Sequence, residues 1–117
     1  MIEVKAYIRP AMIDDVVRAL RQAGHCCMTL VWCEGTGHFT STDQQRVSVS
    51  FTAMHTRMAK MEIVCEARAE KEIVEIILQH GRTGRAGDGM VFVSPVSGAF
   101  RIRDGRESLD AADAAPG

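Results

Sequence analysis

The stretch Ile2-Glu3-Val4-Lys5-Ala6-Tyr7-Ile8-Arg9-Pro10 decides the fold. Ile2, Val4, Ala6 and Ile8 alternate with Glu3, Lys5, Tyr7 and Arg9, the period-two pattern of a half-buried strand, and Pro10 ends it. Ile13, Val16, Val17 and Leu20 then recur at helical spacing, with Asp14 and Arg18 placed to pair across one turn and Gly24 where a C-cap glycine belongs. Outward from this unit the pattern repeats. Residues 26–34 are apolar and β-prone and read as a second strand. Residues 58–66 alternate again as a third, and residues 69–80 carry Ile73, Ile76 and Ile77 on one face of a second helix. Met90-Val91-Phe92-Val93 reads as a fourth strand, closed by Ser94-Pro95, and residues 99–103 suit a short fifth.

Two successive strand–helix–strand units in the order βαββαβ predict an α+β, ferredoxin-like sandwich. One face of such a sheet is covered by helices. The other is expected to carry Leu, Val, Ile or Trp at alternate positions, and burying it would gain about 25 cal/mol per Å². Association of identical chains through that face is the expected outcome, with Trp32 packed on it.

The chain has 117 residues, enough for one domain, read as residues 1–106, with a small, acidic tail over 107–117. The formal net charge is -1, so no basic field draws the chain to nucleic acid. No apolar run is long enough to span a bilayer, and the N-terminal residues lack the pattern of a signal peptide, so a cytoplasmic protein without direct membrane insertion is expected. Of the four cysteines, Cys26, Cys27, Cys33 and Cys65, none shows Cys-x-x-Cys spacing. On a strand Cys26 and Cys27 would point to opposite faces, and the cysteines read as small buried apolar residues rather than a disulfide framework. His25, His38, His55 and Asp43 lack the spacing of a zinc site, so no metal site is expected. Met12, Met28, Met61 and Met90 read as core or pocket filler.

Two segments carry chemistry. In Thr83-Gly84-Arg85-Ala86-Gly87-Asp88-Gly89, three glycines in seven residues let backbone N–H groups approach an anion closely. In Phe100-Arg101-Ile102-Arg103, two arginines at alternate positions of an extended segment would project to one side, and arginine forks suit phosphate oxygens. Together they read as a nucleotide-phosphate site rather than a catalytic centre. Between strands two and three, residues 35 to about 56 are rich in Gly, Thr, Ser, Asp and Gln. Val47, Val49 and Phe51 alternate weakly, as in a partial ribbon. A loop of that length in so small a domain is usually functional.

Ile8-Arg9-Pro10, Ile13-Asp14-Asp15-Val16, Met28-Thr29, Gly35-Thr36-Gly37, Lys60-Met61-Glu62-Ile63-Val64, the glycine-rich segment and Arg101-Ile102-Arg103 occur in an order and spacing that resembles the PII signal-transduction proteins. The resemblance covers the chain to about Arg106. It implies a homotrimer with an adenine nucleotide in each of three clefts between subunits. By this resemblance Thr29, Glu62 and Val64 line the adenine and ribose pocket. Gly37 and His38 approach the phosphates from the long loop, Gly87, Asp88 and Gly89 offer backbone donors, and Arg101 and Arg103 clamp them. Met28, Gly35, Thr36, Ile63, Gly84, Arg85, Ala86 and Met90 complete the nucleotide-binding set. The long loop corresponds to the family's partner-binding arm, directed at a membrane transporter or a cytoplasmic enzyme.

The chain also departs from the family pattern. Where members that bind triphosphate and 2-oxoglutarate have a lysine after Gly-Asp-Gly, it has Met90, which cannot replace an ammonium. Where they have a glutamine that helps hold magnesium it has Phe39, with no oxygen for a hard cation. A third-strand lysine is replaced by Met58, and the tyrosine uridylylated in some members by Phe51. These changes imply a divergent, PII-like member that favours ADP or AMP over MgATP, senses 2-oxoglutarate weakly or not at all, and responds to a small anion such as bicarbonate. The competing expectations are a classical nitrogen-regulation role at an ammonium transporter, a metal-efflux-associated role, a structural trimer without nucleotide, and slow nucleotide hydrolysis. The last has no positioned general base and nucleophile in the sequence.

Overall fold

The computed structural model describes residues 1–36, 45–47 and 54–108. Strand β1 (Ile2–Ile8) leads through a single 3-10 turn at Pro10–Met12 into helix α1 (Ile13–Gln22). Strand β2 (Thr29–Gly35), the short β3 (Gln45–Val47) and the long β4 (Met54–Cys65) follow. Helix α2 (Glu70–Gly81) and strand β5 (Gly89–Pro95) complete the order. The sheet runs β2-β4-β1-β5 with every pairing antiparallel, which is the ferredoxin-like arrangement the alternation predicts.

The core lies between the helices and one face of the two central strands. Val4, Ala6 and Ile8 of β1 sit opposite Ile63, Met61 and Ala59 of β4. Ile13, Val16 and Leu20 of α1 and Ile73 and Ile77 of α2 close over them. Helix α1 ends in a Schellman motif: the His25 amide donates to the Leu20 carbonyl (2.9 Å) and the Gly24 amide to that of Arg21 (3.0 Å). Gly24 has φ 94°, the left-handed conformation that makes glycine the natural residue there. The acidic partner of Arg18 is Asp15, at 3.4 Å, rather than the expected Asp14.

Several boundaries differ from the sequence reading. β2 starts at Thr29, so Cys26, Cys27 and Met28 precede the strand. β4 starts at Met54, within the span read as loop. Thr56 pairs with Gly35 on one side and Gln45 on the other, so β3 takes over the edge of β4 that β1 leaves at Ile8. The partial ribbon expected there is present at residues 45–47; Val49 and Phe51 lie outside the described residues. The short strand expected over 99–103 is instead a tight hairpin with one bridge, Phe100 to Glu107. The Gly105 amide donates to the Arg101 carbonyl at 2.8 Å, closing a turn that no alternating projection of arginines survives.

The uncovered face also differs. Register and alternation place Glu3 and Lys5 of β1 and Lys60 and Glu62 of β4 at its centre, joined in ion pairs, Lys5 to Glu3 at 3.7 Å and Lys60 to Glu62 at 3.4 Å. Apolar residues flank them: Val31 on one edge, Met90 and Phe92 on the other, all exposed. Leu30 and Trp32 project to the helix side of β2, where they are also exposed. The Arg57 guanidinium lies 4.4 Å from the Trp32 ring centroid, a cation–π contact.

Candidate functional site

Pro10 drives the residue before it into extended backbone, and Arg9 takes φ -56° and ψ 134°. Its side chain turns inward and is 1% exposed. Nε donates to Asp88 Oδ1 at 2.8 Å and Nη2 to the Ala86 carbonyl at 2.7 Å. Nη1, also buried, has no hydrogen-bond partner among the described residues. Arg9 thereby ties the end of β1 to the glycine-rich loop seventy-seven to seventy-nine residues later.

Asp88 is the other half of that tie. Its carboxylate accepts from the Thr83 amide and the Gly84 amide, both at 2.9 Å, and from the Thr83 hydroxyl. Burial alone would raise this carboxyl, but donation from the Thr83 hydroxyl, the Arg9 guanidinium and the two amides outweighs it and holds the group well below the usual carboxylate range. Asp88 thus spends its side chain inside the loop. Only its main chain remains for a ligand, the role expected of it.

Gly84, Gly87 and Gly89 all have positive φ. At Gly89 the requirement is absolute: a Cβ there would stand 1.8 Å from the Tyr7 carbonyl oxygen. Gly89 pairs with Ile8 in the ladder, so the loop is docked on β1 at close approach. The methyl of Met58, a residue that is itself fully buried, lies 3.3 Å from that same Cβ position. The Met58 position is therefore a dry wall beside the loop.

A cleft of about 400 Å³ opens between α2 and β5, lined by Val74, Leu78, Met90 and Val93 with Asp88 and Gly89 at one end. Met90 borders this cleft, while its register opposite Tyr7 places its exposed side chain on the uncovered face.

The expected nucleotide-binding residues fall into two groups. Gly35 and Thr36, the loop residues Gly84, Arg85, Ala86, Gly87, Asp88 and Gly89, and Met90 gather at the Ile8 end of the sheet, as the pairings Gly35 with Thr56 and Gly89 with Ile8 require. Thr29, Glu62 and Val64 share the uncovered face toward the other end: Thr29 lies opposite Glu62 and Val64 opposite Glu3. Met28 precedes them, half-buried against the core. The Ile63 side chain points into the core, which leaves only its main chain on the ligand side. Arg101 and Arg103 follow the far end of β5, where Pro95 pairs with Ile2 and the Val96 amide donates to the Met1 carbonyl at 3.0 Å. Arg101 pairs with Asp104 at 2.9 Å and Arg103 is exposed. Gly37 and His38, with Phe39, lie outside the described residues.

The separation is large. Six residue steps separate Thr29 from Gly35 along β2, and six separate Gly89 from Pro95 along β5. Each span is about 20 Å at strand rise.

A protein-family model described as nitrogen regulatory protein P-II matches residues 1–106. The chain belongs to the P-II family. It is 35% identical over 111 residues to the nitrogen regulatory protein P-II of Microchaete diplosiphon, covering 95% of this chain and 99% of that one. The same coverage holds for the P-II proteins of Synechocystis, at 33% identity, and Azospirillum brasilense, at 32%. Membership in this P-II regulatory family agrees with the strand order and with the glycine-rich turn set against β1. Arg9, the best-anchored charge of the site, is the residue that motif reading missed. The signal for it was a cation trapped between a strand and a proline.

Proposed function

We propose that this P-II protein is a regulatory sensor, not an enzyme, and that it binds an adenine nucleotide in clefts between identical chains of a homotrimer. The observation that carries this reading is the division of the expected contact set between opposite ends of the sheet. A nucleotide cannot take the glycine loop and the arginine segment of one chain when about 20 Å separates their attachment points. Two chains placed end to end make the set whole. The charged pairs and apolar rim of the uncovered face suit a cleft that has both a polar floor and an apolar margin.

Met90 favours ADP or AMP over MgATP, because it supplies no ammonium for a terminal phosphate, and Met58 supplies none for the carboxylate of 2-oxoglutarate. A small anion such as bicarbonate is a fitting second effector beside main-chain donors. Nucleotide binding then biases the segment over residues 35–56, which docks on a membrane transporter or a cytoplasmic enzyme. The printed names of the relatives favour one second reading, a role in nitrogen regulation.

Subunit mixing tests the proposal. Arg9→Met removes the loop anchor, and Arg101→Ala with Arg103→Ala removes the arginine segment. Each variant alone should bind ADP much more weakly in calorimetry. Mixed oligomers should regain binding, because one cleft then draws an intact half from each chain. Binding by a monomer, or no recovery on mixing, refutes the shared cleft. Titration with AMP, ADP and MgATP, each with and without bicarbonate, then ranks the effectors.

A further inference from the structure

Cys26 and Cys27 do not lie on a strand and do not point apart. Their Sγ atoms are 3.4 Å apart and both residues are exposed. The backbone that carries them is anchored. Just before the pair, the His25 amide closes the α1 cap on Leu20, and the His25 ring reaches Glu72 of α2 at 3.2 Å. Just after it, Met28 packs on the core and Thr29 enters β2. Two thiols on a held peptide, open to solvent, form a soft donor pair.

We propose that Cys26 and Cys27 form a two-thiol chelate site for a trivalent metalloid of the arsenic class. The 3.4 Å sulfur separation accommodates a two-sulfur chelate with a short bite. With a metal–sulfur bond of about 2.3 Å, a linear two-coordinate ion needs sulfurs about 4.6 Å apart, a tetrahedral ion about 3.8 Å, and a bite of about 3.4 Å corresponds to an S–M–S angle near roughly 95°. That angle belongs to a pyramidal centre with a lone pair, as in trivalent arsenic. The chemistry balances without an oxidant. Two As–S bonds replace two S–H bonds, the arsenic-bound oxygen leaves as water with both thiol protons, and arsenic stays trivalent.

The remaining thiols are held elsewhere. Cys33 gives its thiol to the Met58 carbonyl at 3.6 Å and Cys65 is buried, so neither offers a second pair.

The test uses the full chain, reduced with a phosphine and titrated with phenylarsine oxide, followed by intact mass and thiol counting. One adduct per chain with the loss of two countable thiols is expected, reversed by a small dithiol and resistant to a monothiol. Cys26→Ser and Cys27→Ser, both at exposed positions, should each weaken the adduct at least about tenfold, since chelation depends on the second thiol's local concentration. The Cys33→Ser, Cys65→Ser double variant should retain it. No adduct on the wild-type chain, an adduct that survives either single substitution at Cys26 or Cys27, or one that maps to Cys33 or Cys65 overturns the proposal. An adduct on the pair in protein that binds no ADP supports it while removing the nucleotide reading.

Discussion

The two ends of the sheet carry the two halves of the candidate site, and they are built in opposite ways. At the Ile8 end the glycine loop is held by a buried guanidinium, a carboxylate that accepts four hydrogen bonds, and a glycine with no space for a Cβ. At the Met1 end the arginine hairpin is mostly exposed, held by its own main-chain hydrogen bonds, one bridge and a half-exposed ion pair. Under the proposed nucleotide reading, the contrast separates two strategies for one ligand. A donor loop fixed in advance loses little entropy on binding, whereas exposed arginines on a short hairpin are ordered at the ligand's expense.

Gly89→Ala should have the largest effect. The added methyl cannot coexist with the Tyr7 carbonyl, and the positive φ adds strain, so a loss of about 3 kcal/mol or more is expected. Urea unfolding would measure it. A loss under about 1 kcal/mol would mean the loop is not clamped on β1.

Arg9→Met comes next. Breaking a fully buried pair costs about 3–5 kcal/mol, and the one-quarter exposure of Asp88 reduces the expectation to about 2–3 kcal/mol. Arg9→Lys should recover part of this, since an ammonium cannot serve Asp88 and the Ala86 carbonyl in the same fork geometry. Denaturation of the three proteins side by side gives the ranking.

Asp88 supplies a pH signature for the same end. Its folded carboxyl titrates below its unfolded value. Its stabilising contribution is therefore complete above the unfolded pKa, about 3.9, and is lost as pH falls from there toward the lower folded value. The acid slope of stability should flatten in Asp88→Asn. An unchanged slope would remove Asp88 from the clamp.

The smallest effect on folding belongs to the other end. Arg101→Ala with Arg103→Ala should leave stability within about 0.5 kcal/mol, as for exposed ion pairs, while ADP affinity falls about tenfold or more. Equal losses of stability from both ends would erase the contrast.

Much of the fold was legible because apolar periodicity reports burial directly. Alternation from Ile2 to Ile8 and the helical spacing from Ile13 to Leu20 placed β1 and α1 correctly. Boundaries and local geometry were less legible. The apolar run at Cys26 has β-forming composition but no ladder partner, so the strand waits until Thr29. Arg101 and Arg103 alternate in sequence, yet Gly105 closes a turn between them and the chain's return. The charged centre of the uncovered face was hidden because a face belongs to register: only pairing puts Glu3, Lys5, Lys60 and Glu62 side by side.

The amino-acid order alone settled which residues are apolar at which spacing, hence the βαββαβ framework, and set out the glycine and arginine segments on which the proposed phosphate site rests. Tertiary structure decided what those segments can do together. It sent the two groups to opposite ends of the sheet, buried Arg9 against Asp88 and brought the thiols of Cys26 and Cys27 together. These are distances between residues remote in sequence or set by backbone path, and local patterning carries no information about them.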